Sequence, residues 1–340
     1  MSAKTKFFIG IDVSKLWFDA SLMAVVDHLK QTMETERFDN NEKGIKAFEK
    51  WLKRFKVTFD EQSLLVMENT GIYHRMLWAF CGNRNLPLYI GNAAHIKWSF
   101  GIARGKNDVI DSKRLCGYAQ KHAEELKVTP GLNPVLMQLK DLMTVRTKLL
   151  SHKNSIKVHI QELKNVNDKT VQKELEQVYH APLKAYEKSL KEVAAKLAAI
   201  IDENSALKGN YKLLLTVPGI GKLTAIYMIC CTGNFTGGIT GKQLACYAGV
   251  VPFEQTSGSS IRGKNKVHKM ANKDLKKLLH MGALSAIQAY PEFRNYYERK
   301  KEEGKHNLSV LNAIKNKMVL RAVAVVNNKK PYVDNTKIAA

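Results

Sequence analysis

Four carboxylates stand where carboxylates are costly. Asp12 lies inside the apolar run Ile9-Gly10-Ile11-Asp12-Val13, and an anion taken out of water there needs a cation or hydrogen bonds to compensate it. Glu68 ends a second apolar run, Val66-Met67-Glu68, just before Asn69-Thr70-Gly71. Asp108 and Asp111 are three residues apart on a predicted helix, so they share one of its faces. Acids gathered from two strands and a helix repel one another until cations neutralise them. Hard oxygen ligands select Mg²⁺, with Mn²⁺ as the alternative. Two such ions beside four carboxylates can activate an attacking oxygen and stabilise a leaving one, which is phosphodiester chemistry. Each acid also has a plainer reading: Asp108 as a helix cap, Asp111 as a solvated helix residue, Glu68 as a strand-end charge. Asp12 has the weakest plain reading, because it is flanked by apolar residues. Asp19 reads as a surface residue.

Cations surround these acids in sequence. Arg104, Lys106, Lys113 and Arg114 flank Asp108 and Asp111, and a basic loop beside a metal cluster suits a phosphate backbone, or is simply solvated. The whole chain of 340 residues carries a formal net charge of +23. Only +5 of that falls in residues 1–130, and the remaining +18 lies beyond. Such an excess favours a polyanion, since each lysine or arginine on a phosphate releases condensed counterions. With 45% hydrophobic residues the chain is expected to fold. No stretch has the apolar length of a membrane span, and the N-terminus does not read as a leader. The five cysteines show no metal-ligand spacing, Cys230 and Cys231 look like buried thiols, and the set fits a reducing cytoplasm.

A second motif lies in the C-terminal half. Pro218-Gly219-Ile220-Gly221-Lys222 joins two helical segments and looks like a helix-hairpin-helix turn. There Gly219 and Gly221 would let backbone N–H groups reach a phosphate, with the next helix dipole and Lys222 assisting. The alternative is a tight interhelical turn without a ligand. Further on, Ser257-Gly258-Ser259-Ser260 leads into Arg262, Lys264, Lys266, His268 and Lys269. This segment reads as a phosphate-binding loop or a flexible linker, and composition alone favours the linker. No histidine or carboxylate stands at a spacing that would mark a base for one of these serines. Tyr290, Phe293, Tyr296 and Tyr297 could stack on bases, but their helical spacing favours a core.

These residues need elements to position them. Lys6–Val13, Trp17–Val26 and Gln31–Phe38 read as three strands. A helix capped by Asn41 follows through Phe55, then a strand at Ser63–Met67 and a helix at Tyr73–Asn83. A short strand at Pro87–Ile90 and a helix from Asp108 to Glu125 complete the set. This order matches an α/β, RNase H-like sheet with helices packed on it. Val135, Leu142, Leu149, Ile156 and Leu163 recur every seven residues. Leu183, Tyr186, Leu190, Val193, Leu197 and Ile200 follow with coiled-coil spacing. Two long helices are expected, paired as a hairpin or used for dimerisation, with Pro182 in the first turn of the second. The predicted division is 1–130, 131–205 as a helical linker, 206–330 as a mostly helical domain, and a tail at 331–340.

Taken together, the chain resembles DEDD-type insertion-sequence transposases, a family related to Piv-type DNA invertases. Gly-Ile-Asp-Val-Ser-Lys at the start, Met-Glu-Asn-Thr-Gly and Lys-Asn-Asp-Val-Ile-Asp carry the likeness in the N-terminal half. Val-Pro-Gly-Ile-Gly and Ala-Gly-Val-Val-Pro carry it in the C-terminal half. The resemblance implies a RuvC-like domain whose Asp12, Glu68, Asp108 and Asp111 are metal ligands, a coiled-coil linker and a C-terminal transposase domain. It implies that Ser257, with Ser259 and Ser260 close by, supplies the nucleophile and forms a transient phosphoserine link to DNA. It also implies a composite site, donor and target DNA, a structured non-coding guide RNA, and a homodimer or dimer of dimers in the cytoplasm of a bacterium or archaeon. Two rivals remain. A RuvC-like structure-specific endonuclease using metal-activated water needs the acids but not Ser257, and a catalytically silent DNA- or RNA-binding protein needs neither.

Overall fold

The computed structural model describes residues 5–100, 107–165, 168–257, 261–267 and 271–333, with backbone alone at 254–257 and 261–266. The chain divides into two compact units, Met1–Asn133 and Pro134–Ala340.

The first unit is a mixed α/β sheet domain. Its elements are β1 (Thr5–Val13), β2 (Trp17–Val26), β3 (Leu29–Lys30), β4 (Glu34–Asp39), α1 (Glu42–Arg54), β5 (Ser63–Glu68), α2 (Arg75–Arg84), β6 (Leu88–Gly91), α3 (Ala93–Ser99) and α4 (Asp108–His122). The sheet runs β3-β2-β1-β5-β6, and β4 also pairs with β2. β1 and β2 are antiparallel, while β1, β5 and β6 are parallel. Parallel pairing places the carboxyl ends of β1 and β5 side by side. Ile11 is opposite Met67, so Asp12 and Glu68 each follow one residue later at the same end of the sheet.

Alternation along β1 sorts its side chains between two cores. Phe7, Ile9, Ile11 and Val13 join one cluster, with Phe18, Phe38, Phe48 and Trp51 from β2, β4 and α1. Those four rings stack or meet edge to face at 5.4–6.0 Å, and burial of each is worth about 1.5–3 kcal/mol. Phe8 belongs to the opposite cluster, with Leu115, Cys116 and Ala119 of α4. Gly10 and Asp12 share that second face with Phe8.

The expected strand at Gln31–Phe38 is shortened. β2 reverses through Asp27 and His28, both left-handed at φ 44° and 69°, and Val26 pairs directly with Leu29. This is the two-residue turn whose twist suits a hairpin, and the long return strand begins only at Glu34. Asn41 caps α1 as expected, accepting the Gly44 N–H at 2.9 Å. The short α3 was not anticipated.

The second unit comprises α5 (Pro134–Leu163), α6 (Lys169–Glu203), α7 (Ser205–Leu215), α8 (Lys222–Thr232), α9 (Gly241–Tyr247), β7 (Pro252–Ser257), β8 (Ile261–Val267), α10 (Lys273–Ala289), α11 (Pro291–Glu302) and α12 (Asn307–Asn327). The heptad helices α5 and α6 pair within the chain as an antiparallel hairpin. His152 meets Tyr186, His159 meets Tyr179, and Lys153 and Lys164 pair with Glu187 and Glu176 at 2.8 Å. Pro182 does not open the second helix but lies inside it, because Asp168 caps α6 fourteen residues earlier by accepting the Thr170 and Val171 N–H groups. The carbonyl that proline leaves without a donor belongs to Val178, which is 71% exposed and can meet water. α7 to α12 wrap one core centred on α12, whose Ile314, Met318, Val319 and Ala322 are fully buried. Phe293 is core, as its spacing predicted, while Tyr290 is exposed. Cys230 and Cys231 are half-buried rather than buried.

Candidate active site

α4 lies across the sheet face that bears Asp12, and it is fixed there at close range. A Cβ on Gly10 would stand 2.0 Å from the Cys116 nitrogen, 2.3 Å from the Ser112 oxygen and 2.6 Å from the Leu115 carbonyl carbon. The glycine therefore lets helix backbone touch strand backbone. Around that contact the Cys116 thiol donates to Phe8 O at 3.2 Å, and the buried Ser112 and Ser21 hydroxyls share a hydrogen bond of 2.8 Å. α4 runs antiparallel to β1, so its N-terminus lies at the carboxyl end of the strand. Asn107 caps it by accepting the Ile110 N–H at 2.7 Å. Asp108 and Asp111 occupy the first turn, where the helix dipole favours negative charge.

The other three acids act on Asp12 there. The Asp12 carboxyl is pushed up to about 6, first by burial and then by the charges of Asp108, Asp111, Glu68 and Asp19. That surplus of negative charge, made of oxygen donors alone, fits a hard divalent cation in its chemistry. Two of the acids are engaged by arginines. Arg114 pairs with Asp111 at 2.9 Å. Asp108 Oδ2 accepts the Trp17 indole N–H at 3.2 Å and faces Arg37 at 3.5 Å. Among the described residues, no three His, Cys, Asp or Glu side chains are gathered closely enough to hold a metal ion.

Asp19 corrects the sequence reading. It is 1% exposed rather than on the surface, because it sits opposite Asp12 in β2 and shares its face. A carboxylate so desolvated needs a fixed cation. Arg37, directly across in β4, donates to both its oxygens at 3.0 and 2.8 Å. The guanidinium also stacks over Trp17 at 5.0 Å. Trp17, Asp19 and Arg37 thus form a bracket from β2 and β4 that holds Asp108. Asn40 plays a similar part for the loops, donating to Ser14 O after β1 and to Tyr73 O after β5, each at 2.9 Å. Sequence reasoning missed all of these. Only Gly10, a glycine inside an apolar strand, carried a readable signal of close approach.

In the second unit, the glycines of the Pro-Gly-Ile-Gly turn have different surroundings. Gly219, left-handed at φ +82°, backs onto α10, where an added Cβ would lie 2.7 Å from Gly282 O. Gly221 has nothing within 4 Å of a Cβ and caps α8, where Lys222 is exposed. Where the sequence reads as a loop or linker, β7 and β8 pair as an antiparallel hairpin, with Ser257 opposite Ile261 and Thr256 opposite Arg262. Ser257 therefore ends a strand at the hairpin tip, and Lys264 and Lys266 lie along β8. Arg104, Lys106, Ser259, Ser260 and Lys269 lie outside the described residues, and Lys113 is exposed on α4.

Residues 9–166 match a family model described as a transposase, of the DEDD type named for IS110. Residues 211–298 match one described as the transposase IS116/IS110/IS902 family. The chain is 28% identical to the pilin gene-inverting protein of Moraxella bovis, over 96% of this chain and 98% of that protein. The corresponding protein of Moraxella lacunata is equally similar. An uncharacterized 43.6 kDa protein of insertion element IS110 from Streptomyces coelicolor is 30% identical, over 35% of this chain and 32% of its own length. Among the described residues, no helix is long and apolar enough to cross a membrane.

Proposed function

Starting from the premise that this chain belongs to the IS110 family of DEDD transposases and is a DNA-rearranging enzyme, we propose that it cuts and rejoins DNA strands to mobilise an insertion element. In this reading Asp12, Glu68, Asp108 and Asp111 hold Mg²⁺ and Ser257 is the nucleophile. The first unit is a RuvC-like, RNase H-like catalytic domain.

One observation carries the reading. A half-buried carboxyl, Asp12, is pushed up to about 6 in the midst of three other acids, at the end of a strand against which α4 is pressed without clearance. Structural ion pairs alone do not call for such a concentration of like charge. The DEDD domain implies dependence on a divalent metal. When bound, that metal supplies neutralising charge at the scissile phosphate and lowers the cost of the attacking and leaving oxygens. The chain's own residues do the rest. Arg37 and Trp17 orient Asp108, and Gly10 sets the distance of α4 from Asp12. The Ser257 hydroxyl gives up its proton as its Oγ bonds to phosphorus, the phosphorus–deoxyribose oxygen bond breaks, and the departing oxygen takes a proton. The phosphodiester energy is kept in the serine link, so a hydroxyl of the new strand can reverse the step without an external energy source.

The +18 charge of the second half supports two polyanionic partners in this proposal, DNA and a structured guide RNA. A homodimer or dimer of dimers, acting on cytoplasmic DNA, belongs to the same reading. The test uses purified protein, Mg²⁺, a supercoiled plasmid carrying the element ends and RNA transcribed from them. Joined products that require RNA, metal, Asp12 and Ser257 are expected. Nicking that persists in Ser257→Ala supports the endonuclease instead, and binding without any strand breakage supports the silent protein.

A further inference from the structure

Tyr247 and Asn272 stand at the two feet of the β7–β8 hairpin, joined to each other twice. β7 leaves the run Ala248-Gly249-Val250-Val251-Pro252, and β8 returns through Val267 toward Asn272. The Asn272 backbone N–H donates to Tyr247 O at 2.8 Å, and its Nδ2 donates to the Tyr247 hydroxyl, also at 2.8 Å. Gly249 is left-handed at φ +65°, and a Cβ there would lie 2.1 Å from the Ala271 Cβ and 3.3 Å from Val267 Cγ1. Only glycine permits so close a junction. Pro252 then pairs with Val267 as the first rung of the hairpin.

The feet are also fixed to three helices. Asn272 Oδ1 caps α10 by accepting the Leu275 N–H at 2.8 Å, and it accepts the Tyr227 hydroxyl of α8 at 3.2 Å. The Tyr247 hydroxyl donates in turn to Cys231 Sγ, one turn further along α8, at 3.8 Å. Asn312 of α12 donates to Val250 O at 2.6 Å. Burial raises both tyrosine hydroxyls, that of Tyr227 to about 12, so each remains a protonated donor at neutral pH. A tyrosine that merely fills space works equally well as phenylalanine, whereas these two hydroxyls converge on one asparagine.

We propose that Tyr227, Tyr247 and Asn272 are positioning residues for the strand-transfer reaction. They form a latch that holds the feet of the hairpin to α8 and α10 and so sets where Ser257 stands. Ser257 closes β7 five residues after Pro252, about 17 Å away along a strand. A tilt of roughly 4° at the feet therefore moves it by about 1 Å, and a displacement of that size at a reacting group can cost about a hundredfold in rate. The inference rests on the reading of Ser257 as the nucleophile. It adds to that reading what holds the serine, which the serine-rich sequence around it does not disclose.

The experiment compares full-length wild type with Tyr247→Phe, which keeps the ring and removes the hydroxyl. Tyr332→Phe is the control, losing a hydroxyl bond of 2.8 Å to Glu292 of α11 in the same unit. Amide hydrogen exchange, read by mass spectrometry, should quicken about fivefold across residues 252–267 in Tyr247→Phe alone. With Mg²⁺, RNA and saturating element-end DNA, the rate at which the protein becomes covalently joined to DNA should fall roughly tenfold in Tyr247→Phe, at unchanged DNA affinity. Tyr227→Phe should act in the same direction, and the double variant should lose less than the two effects combined, because both hydroxyls work through Asn272. Exchange across 252–267 that keeps the wild-type rate, or quickens equally in Tyr332→Phe, overturns the latch. Faster exchange with an unchanged joining rate overturns its part in the reaction. Wild-type protein that forms no covalent joint overturns the serine reading itself, and this role with it, whichever way the exchange falls.

Discussion

Gly10→Ala tests how closely the acids depend on packing. The new Cβ meets three backbone atoms of α4, the nearest at 2.0 Å, where ordinary contact begins at 3.4 Å. No side chain can swing away, so α4 must retreat by about 1.4 Å, carrying Asp108 and Asp111 away from Asp12. Overpacking of this kind costs about 1–3 kcal/mol, a fall in melting temperature of roughly 5–10 °C for a unit of this size. A displacement of about 1 Å at a catalytic group can cost about a hundredfold in rate. The control is Gly44→Ala, whose Cβ would lie 1.8 Å from Asp39 O on the α1 side of the same unit. Both variants should lose stability, but only Gly10→Ala should lose about two orders of magnitude in metal-dependent plasmid cleavage, assayed well below both melting points. Equal activities for the two would refute the reasoning.

Asp12 is held above its ordinary value, at about 6 against 3.8, so in metal-free buffer its contribution is present below pH 4 and is lost as pH rises through 6. Asp12→Asn should therefore melt higher than wild type at pH 7.5 and equally at pH 4 in calorimetry. A lower melting point at pH 7.5 would contradict the assigned cause. Arg37→Ala strips a buried carboxylate of its partner and frees Asp108, so it should both destabilise the protein and shift the Mg²⁺ concentration for half-maximal activity. Loss of stability with an unmoved Mg²⁺ midpoint would reduce Arg37 to a partner of Asp19. Gly219→Ala should unfold readily, being left-handed and 2.7 Å from Gly282 O, whereas Gly221→Ala should fold normally. Chemical denaturation distinguishes them, and a Gly221→Ala that is as unstable as Gly219→Ala would be inconsistent with these surroundings.

What the sequence revealed was mostly local. Asp12 stood out because an apolar strand tolerates a carboxylate only for a reason, and Asn41 announced a helix start through the shape of its own side chain. The heptads foretold two long helices because their period is written residue by residue. What was hidden depended on partners distant in the chain. Asp19 looks like any strand-edge acid until the turn at Asp27-His28 brings β4 back and sets Arg37 against it. Trp17 gains meaning only once α4 delivers Asp108 to its indole. The β7–β8 hairpin was obscured by glycine and serine, whose low strand propensity outweighed the alternating cations that follow. Pro182 was placed at a helix start by a rule that holds for most prolines, and the solvated carbonyl that permits an exception is visible only in three dimensions.

The proposed reaction requires both the acids and Ser257. Its most direct test is to quench a reaction with Mg²⁺, RNA and element-end DNA under denaturing conditions, digest the DNA, and search the protein by mass spectrometry for a nucleotide-bearing peptide. Wild type should yield the peptide containing Ser257 with a nucleotide attached through phosphate, and Ser257→Ala and Asp12→Ala should yield none. Cleavage at full rate with no attached nucleotide, unchanged by Ser257→Ala, would contradict the account and leave a metal-dependent nuclease that uses water.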